Sequence, residues 1–560
     1  MFTGIGIGMV SQRTATSLQA LLFGQNEPGV LFDPTDLTTM YVDRAGTTPV
    51  TAAGQSVGLR LDKSKGLALG PELVTNGDFS GGSAGWTAQS GWTISSGAAS
   101  VNSSVAGSTY LRTSGYTAVV ETYYRVTFTV TSYTSGTIYG AAGTAISATG
   151  AAAVGTYSYL ILASGAGGVG VYASNTNTIA TIDNISVREL PGNHQVAVSD
   201  AKRGVYGWMP KTGRRNLLTY TEQFDNAAWS ARWGGSATVS PNDPTFLAPD
   251  DTQTVDKVTA TIGGSGAGQA IALTSGVTYT FSCWVNSPAA ASDLRIATAA
   301  TGGGVVAMAS IPSSASLVRY SLTYTPSVTQ TYYVGVGNSL ALQTVYIWGA
   351  QLELGSTATA YQRVVSQYDI TEAGVPTCYY VQADGVDDAY VTPTITPNTD
   401  KVQVFAGVRK LSEPSYASII SLSPDINANN GAFEITNAVP PTGGLLGAYG
   451  WRPKGTVGTF VATARDYFAP VTNVVTFTAD ISGDAQGIRV DGSQKVATTD
   501  DQGTGNFLAY PVYIYSRAGT SLPFNGLDFG HAVRFGPNLD AATIARVESL
   551  IARNTPEVTL

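Results

Sequence analysis

Cysteine, histidine and charged residues are scarce in this chain. Its 560 residues include two cysteines and two histidines, and only 12% are charged. Cys283 and Cys378 lie in different predicted domains, which argues against a structural disulfide and indicates assembly in a reducing cytoplasm. The net charge is −8 and no basic patch occurs, so nucleic acid is not expected as a partner.

Long apolar runs are also missing. No stretch approaches the length of a membrane span, so membrane insertion is not expected. The first ten residues are apolar and glycine-spaced but carry no basic region, so they do not predict a signal peptide. If such a protein acts outside the cell, release by lysis would bring it there.

Glycine is abundant, with 64 residues, and β-branched and aromatic residues are plentiful, which is typical of many short strands joined by tight turns. The length suggests three or four domains. Period-two alternation predicts half-buried strands, as at Val126, Phe128 and Val130. Helical spacing is confined to residues 14–22 and to 541–553, where Asp540 is the predicted cap.

One stretch organises the C-terminal third. It reads Gln382-Ala383-Asp384-Gly385-Val386-Asp387-Asp388-Ala389-Tyr390-Val391, an Asp-Gly turn followed by an apolar alternation. The stretch resembles the F-D-G-V-D-D-Y hallmark of concanavalin A-like (laminin-G-like) β-sandwiches, especially those of bacteriophage virion proteins, with Ala383 in place of Phe. Residues 487–492, 511–517 and 524–526 match further landmarks of that family in order.

The N-terminal region resembles a segment common near the start of phage structural proteins. The similarity begins at Gly29-Val30-Leu31-Phe32-Asp33-Pro34 and ends at Leu61-Asp62-Lys63-Ser64. In those proteins L-D-K-S runs directly into G-N-H-A, whereas here Gly192-Asn193-His194-Gln195 follows much later. We interpret the residues between Ser64 and Gly192 as an insertion. The alternative is that G-N-H is a chance match.

Two further stretches resemble jelly-roll carbohydrate-binding modules. The first opens with Asn76-Gly77-Asp78-Phe79 and closes with Ile182-Asp183-Asn184-Ile185-Ser186-Val187. The second opens with Asn216-Leu217-Leu218-Thr219-Tyr220 and closes with Ile347-Trp348-Gly349-Ala350-Gln351-Leu352-Glu353, both familiar from phage tail and fibre proteins. The shared order of strands indicates a diverged internal repeat.

We therefore predict an all-β chain of tandem β-sandwiches, two jelly rolls and a concanavalin A-like sandwich, with minor helix in the N-terminal region and at the C-terminus. The predicted boundaries are an attachment region at 1–70, a jelly-roll insert at 71–191, a linker at 192–214, a second jelly roll at 215–360 and the concanavalin A-like sandwich at 361–560.

No catalytic residues are expected. His194 and His531 stand in no context that places a nucleophile beside them, so structural roles are favoured. Asp387 and Asp388 follow a turn, and side chains one apart on a strand point to opposite faces, which argues against a glycosidase acid pair. No nucleophile elbow, phosphate loop or zinc spacing occurs.

Binding residues are predicted in the jelly rolls. Exposed aromatic rings stack on sugars, so the tryptophans near the module openings are candidate glycan platforms. They are Trp86, Trp92, Trp229 and Trp233. The alternative is that each indole is buried and fills one end of the core of its sandwich. The jelly-roll resemblance also implies a structural calcium, with Asp78 and Asp183 as ligands, and no other cofactor.

Three functions compete. The first is a virion structural protein, a tail fibre, spike or head decoration, which attaches to a host-surface glycan. The second is a secreted or surface carbohydrate-binding protein of a bacterium, and the third is a polysaccharide-degrading enzyme. We favour the first, with other virion proteins as partners of the N-terminal region, a homo-oligomer with a trimer favoured, and a location in the virion after synthesis in the host cytoplasm. Neither the position in the virion nor the receptor follows from the sequence.

Overall fold

Strands make up nearly all the regular structure. The computed structural model describes residues 17–102, 109–174, 177–231, 233, 237–413, 416–437 and 446–560. Among these residues two α-helices occur, Leu18–Phe23 and Ala541–Ala552, and two 3₁₀ turns, Leu37–Thr39 and Ala227–Trp229. The prediction of an all-β chain of tandem sandwiches is confirmed. None of the described helices has the length and apolar character needed to cross a membrane.

The two helices begin at capping residues. The Asp540 carboxylate accepts a hydrogen bond from the Thr543 backbone N–H at 2.7 Å, which caps the C-terminal helix as predicted. Ser17 caps the N-terminal helix by accepting from the Ala20 N–H at 3.1 Å. That helix ends at Phe23, one residue beyond the predicted 14–22 segment, and residues 1–16 lie outside the described residues.

The chain divides into two compact units. Within the described residues, the first holds 17–51, 55–205 and 380–560, and the second holds 52–54 and 206–379. The first unit contains the jelly-roll insert and the C-terminal sandwich, each with its own pair of sheets. The second unit contains the second jelly roll and the strands Gln362–Ser366 and Asp369–Glu372.

The C-terminal sandwich takes strands from the N-terminal region. One of its sheets has the strands Thr377–Asp384, Asn525–Phe535, Lys401–Lys410, Val471–Asp480, Ala485–Val490 and Ser493–Thr498 in that spatial order. Gly29–Phe32 joins it by pairing antiparallel with Asn525–Phe535. The other sheet has the order Met40–Tyr41, Leu59–Arg60, Gln195–Ala197, Tyr390–Val391, Val512–Ile514, Ser418–Leu422, Ala432–Thr436, Gly450–Lys454 and Val461–Ala462.

The N-terminal helix also packs into this sandwich. Leu22 and Phe23 are buried in one cluster with Phe405, Val547 and Ile551. Residues 17–51 and 55–64 are therefore a structural part of the unit that holds the C-terminal sandwich, and removal of residues 1–24 would delete two of its core side chains.

The two halves of the interrupted motif lie side by side. The Asp62 backbone N–H donates to His194 Nδ1 at 2.9 Å, and the Asn193 N–H donates to the Asp62 carboxylate at 2.8 Å. At the neck of the insert, the Gly70 N–H donates to the Glu189 carbonyl at 2.9 Å. The residues on the two sides of the insert are thus in direct contact.

The insert is a sandwich of two five-stranded sheets around one core. The first sheet has the order Ala145–Ile146, Ile138–Ala142, Val169–Ala173, Thr109–Thr113 and Trp86–Ala88. The second has the order Gly155–Leu162, Tyr123–Ser135, Ile179–Leu190, Ala98–Asn102 and Trp92–Ser95. At its base, Tyr123, Leu160 and Leu190 form a buried cluster with Leu59 and Leu61 of the C-terminal sandwich.

The second jelly roll pairs a five-stranded with a four-stranded sheet. The first has the order Ala237–Ser240, Asp256–Ala260, Thr344–Leu354, Tyr279–Asn286 and Val318–Tyr324. The second has the order Ser265–Leu273, Gln330–Asn338, Ser292–Ala297 and Val305–Ile311. Three further strands are hydrogen-bonded neighbours in the order Gln362–Ser366, Asp369–Glu372 and Val205–Pro210.

A buried ionic network joins distant parts of the C-terminal sandwich. Arg60 Nη1 donates to Asp528 Oδ2 at 2.9 Å and to the Tyr515 hydroxyl at 3.1 Å. The Tyr515 hydroxyl and His531 Nδ1 reach the same carboxylate oxygen, each at 2.8 Å. Despite its burial, Asp528 has a pKa well below its usual range, because His531 and Arg60 stabilise its charged form. The network gives His531 a structural partner inside the core.

Candidate functional site

The four tryptophans predicted to bind glycan are buried. Trp86 and Trp92 each keep 7% exposure, and Trp229 and Trp233 keep none. Two of the indoles are held by backbone hydrogen bonds, from Trp86 Nε1 to Asn76 O and from Trp229 Nε1 to Tyr220 O, both at 2.8 Å. These positions match the alternative in which the indoles fill the sandwiches, because a buried ring cannot stack on a sugar from solvent.

The two calcium candidates, Asp78 and Asp183, each accept local hydrogen bonds. Asp78 is exposed and accepts from the Ser80 N–H and hydroxyl at 3.2 and 2.9 Å, and Asp183 accepts from the Asn184 N–H at 2.6 Å. Calcium takes six to eight oxygen ligands. Within the part of the chain that the structure describes, no third acidic side chain joins this pair in a ligand-like group.

The described residues contain one group of three carboxylates, in the Asp-Gly turn at Asp384, Asp387 and Asp388. Asp388 accepts from the Asp384 N–H at 2.9 Å, and Asp384 accepts from the Val386 N–H at 2.8 Å. Burial raises the pKa of Asp388 to about 6. These hydrogen bonds account for the group as the internal support of the turn.

An aromatic cleft lies on the second jelly roll instead. In the strand Tyr279–Asn286, Phe281, Cys283 and Val285 are buried in the core. Because neighbouring side chains on a strand point to opposite faces, Trp284 lies on the outer face of the sheet. It stands opposite Trp348 of the strand Thr344–Leu354 in the antiparallel register.

A β-bulge brings the two indoles into line. The register slips between Ser282 and Trp284, so that Gly349 and Ala350 oppose the single residue Cys283. Gly349 has φ +64°, and a Cβ there would lie 2.9 Å from Trp284 Cε3. A glycine is therefore needed both for the backbone conformation and for the room beside Trp284.

Three rings form one cluster at this position. The ring centroids of Trp284 and Trp348 are 5.1 Å apart with an interplanar angle of 69°. Tyr361 lies 5.5 Å from Trp284 and 4.8 Å from Trp348. Trp348 is anchored by a hydrogen bond from its Nε1 to the Thr254 hydroxyl at 2.9 Å. Trp284 and Tyr361 are only half-buried, so both rings reach the cleft.

Charged groups border the rings. The Tyr361 hydroxyl donates to Glu222 at 3.1 Å, and Arg363 Nε donates to the other carboxylate oxygen of Glu222 at 3.2 Å. The Arg319 guanidinium lies over the Trp284 ring at 4.5 Å from its centroid. Burial raises the pKa of Glu222 and raises that of Tyr361 well above its usual value. Arg363 is 41% exposed and presents a donor group to solvent at the cleft edge.

These side chains line a cleft of about 520 Å³. Its other walls come from Pro249, Asp250, Ala360, Thr371, Glu372 and Ala373. The size lies within the range of small-molecule sites, roughly 300–1,000 Å³. An apolar aromatic wall beside fixed donors and acceptors can hold a ligand that has both an apolar face and polar edges.

The sequence signal for this site lies in two strands, not in the loops at the module openings. Trp284 is out of phase with the apolar residues of its own strand, and Trp348 precedes a glycine in the closing strand. An aromatic residue on the polar face of a strand is an exposed ring or an interface residue. Tyr361 carried no such signal, since only the tertiary structure brings it beside the two indoles.

Comparison with known proteins gives structural likenesses at low similarity. No family model matches the chain, and no curated protein matches it. The chain is similar to the CBM40 of the Ruminococcus gnavus IT-sialidase bound to α2,3-sialyllactose, with 17% identity and a TM-score of 0.22 over 27% of this chain and 84% of that one.

Two larger proteins are similar over less than half of their length. The receptor-binding domain of botulinum neurotoxin D has 11% identity and a TM-score of 0.23, over 30% of this chain and 43% of that one. The NanB sialidase of Streptococcus pneumoniae has 12% identity and a TM-score of 0.23, over 30% and 26% of the two chains. Such low identities and TM-scores do not say what this chain binds.

Proposed function

We propose that this chain is a non-enzymatic binding protein that holds a saccharide in the cleft of Trp284, Trp348 and Tyr361. The observation that carries the proposal is the pair of half-buried rings Trp284 and Tyr361, supported from behind by the buried Trp348, with charged groups at their edge. The C–H face of a sugar ring packs on such a wall, while its hydroxyls bond to planar polar side chains. Arg363 and Glu222 supply a donor and an acceptor at the edge.

Binding, rather than hydrolysis, fits the state of the carboxylates around the cleft. Glu222 accepts from Tyr361 and Arg363, and Glu372 accepts from Thr212, Arg215 and Gln362. The third carboxylate of the lining, Asp250, accepts from the Thr252 N–H and hydroxyl at 3.2 and 2.6 Å, so all three hold neighbouring groups. A glycosidase pair would need one carboxyl free to donate a proton and another free to attack or to activate water.

The test is binding of the full chain to a panel of immobilised neutral and acidic oligosaccharides, followed by titration calorimetry on those that bind. Trp284→Ala should weaken binding by about tenfold or more, since an aromatic contact contributes roughly 0.5–1.5 kcal/mol beyond its buried area. The control is Tyr333→Ala, which removes a half-buried ring from the strand Gln330–Asn338, outside the cleft. Equal binding by wild type and Trp284→Ala would contradict the proposal.

We further propose that the glycan belongs to a host surface and that the chain is part of a phage particle. The support is the resemblance of Gly29-Val30-Leu31-Phe32-Asp33-Pro34 and of the L-D-K-S and G-N-H-Q pair to phage structural proteins. Immunogold electron microscopy of particles with an antibody to this chain is the test. Purified particles without the chain would favour a bacterial carbohydrate-binding protein, for which the same cleft would serve.

A further inference from the structure

A second open groove lies on the C-terminal sandwich. In its first sheet, Gln403, Thr478, Gly487 and Ala497 are register partners across four neighbouring strands. Register partners share a face, so these residues form one row across the sheet. Thr478, Gly487 and Ala497 are small, and a row of small side chains leaves a hollow in the sheet surface.

The C-terminal helix closes one side of this hollow. Helix Ala541–Ala552 covers the neighbouring part of the same face, where Val547 and Ile551 pack against Phe405. Glu548 fixes the helix by accepting from the Thr476 hydroxyl and Arg489 Nε at 2.9 and 2.8 Å. The helix therefore forms one wall, and a groove of about 460 Å³ remains beside it.

The walls of the groove carry uncharged polar groups in fixed positions. Gln403 Oε1 accepts from Arg534 Nη1 at 3.2 Å and from the Leu539 N–H at 3.3 Å, so the amide is held in one orientation. Gln494 Nε2 donates to the carbonyls of Ile488 and Val496. Thr498 and Thr499 also line the groove.

The charge in the groove is neutralised by the protein itself. Asp480 is the acidic residue in its wall, and it pairs with Lys401 at 2.5 Å and accepts from Asn538 Nδ2 at 3.4 Å. Fixed amides and hydroxyls around a floor without net charge suit a ligand rich in hydroxyls. We infer that this groove is a second binding site, which takes a neutral oligosaccharide and is independent of the aromatic cleft.

The experiment fills the groove without disturbing the fold. Ala497 is exposed on the edge strand Ser493–Thr498, so Ala497→Trp should occupy the hollow while keeping the core. Lys495→Trp is the matched control, because it adds the same indole to an exposed position of that strand outside the groove. Each change is made in the full chain, alone and together with Trp284→Ala, and thermal melting checks that every variant is folded.

The probes are neutral hexasaccharides of glucose, mannose and galactose, measured by titration calorimetry. We expect at least one to bind the Trp284→Ala variant, and we expect Ala497→Trp, but not Lys495→Trp, to weaken that binding at least tenfold. Unchanged binding by the folded Ala497→Trp and Lys495→Trp variants would contradict the proposal of a binding site in the groove. The proposal for the aromatic cleft would be unaffected. Absence of all binding by folded Trp284→Ala would contradict the binding site in the groove as well. Loss of binding through Ala497→Trp alone, with no effect of Trp284→Ala, would support the groove and contradict the cleft.

Discussion

His194 is a histidine that the fold keeps uncharged. Its ring is fully buried and packs against Tyr123 at 4.8 Å between centroids. Nδ1 accepts from the Asp62 N–H, so the proton of the neutral ring is on Nε2. Burial lowers the pKa of His194 from 6.5 to about 3.

This pKa makes His194 a source of acid sensitivity. Between pH 6.5 and about 3 the unfolded chain binds a proton at this residue and the folded chain does not, so the free energy of unfolding falls as the pH drops. The slope from this group is about 1.4 kcal/mol per pH unit. His194→Gln should therefore lose less stability than wild type between pH 7 and 4.5, measured by chemical denaturation. Parallel pH profiles of the two proteins would contradict this prediction.

Arg60 and Arg188 differ in environment rather than in chemistry. Arg60 is 2% exposed in its pair with Asp528, whereas Arg188 is 46% exposed in its pair with Glu72. Removing one partner of a buried pair leaves an uncompensated charge, which costs about 3–5 kcal/mol, while an exposed pair contributes roughly 0–1 kcal/mol. We expect Arg60→Ala to destabilise the protein by several kcal/mol in urea denaturation and Arg188→Ala to change it little. Similar losses of stability in the two variants would contradict the stabilising role of the buried pair that Arg60 forms with Asp528.

At the scale of one element, the bulge in the strand Thr344–Leu354 decides whether the aromatic cleft exists. Gly349→Val would combine a strained positive φ with a clash against Trp284, and both should displace the indoles. We expect a loss of about 1–3 kcal/mol in stability together with a large loss of saccharide binding.

The control for that change is Gly276→Ala. Gly276 also has a positive φ, +77°, but nothing lies within 4 Å of an added Cβ. The Gly276→Ala variant should lose some stability through backbone strain and should bind saccharide as the wild type does. If Gly349→Val bound saccharide as well as Gly276→Ala does, the bulge would not be what positions the rings.

At the scale of the whole molecule, the two ends of the insert meet at its neck, and its base packs against the C-terminal sandwich. Tyr123, Leu160 and Leu190 bury Leu59 and Leu61 of the C-terminal sandwich. We expect replacement of residues 70–190 by a short Gly/Ser linker to leave a soluble, folded protein, since Asp62 already contacts Asn193 and His194. Its melting temperature should be lower, because the two leucines become exposed to water.

Size-exclusion chromatography and thermal melting of that deletion variant are the measurements. A second deletion variant with Leu59→Thr serves as the control, since a polar residue at this newly exposed position should reduce aggregation without restoring the lost packing. Insoluble protein in both cases would show that the insert is needed for folding of the rest.

Several features followed from the sequence by itself because they are local. Period-two alternation identified strands and their inward faces, as at Phe281, Cys283 and Val285, and the Asp540 cap located the C-terminal helix. The split motif indicated that the chain returns to Asp62 after the insert. Each of these depends on neighbouring residues or on a short recognisable string.

Only the tertiary structure decided which strands pair and which rings are exposed. Alternation cannot tell that Gly29–Phe32 pairs with Asn525–Phe535, or that Trp229 is buried while Trp284 reaches a cleft. The bulge that aligns Trp284 with Trp348, and the fold that brings Tyr361 to them, depend on pairing between residues far apart in the chain. Burial and cleft shape arise from such non-local contacts, and a local pattern does not contain them.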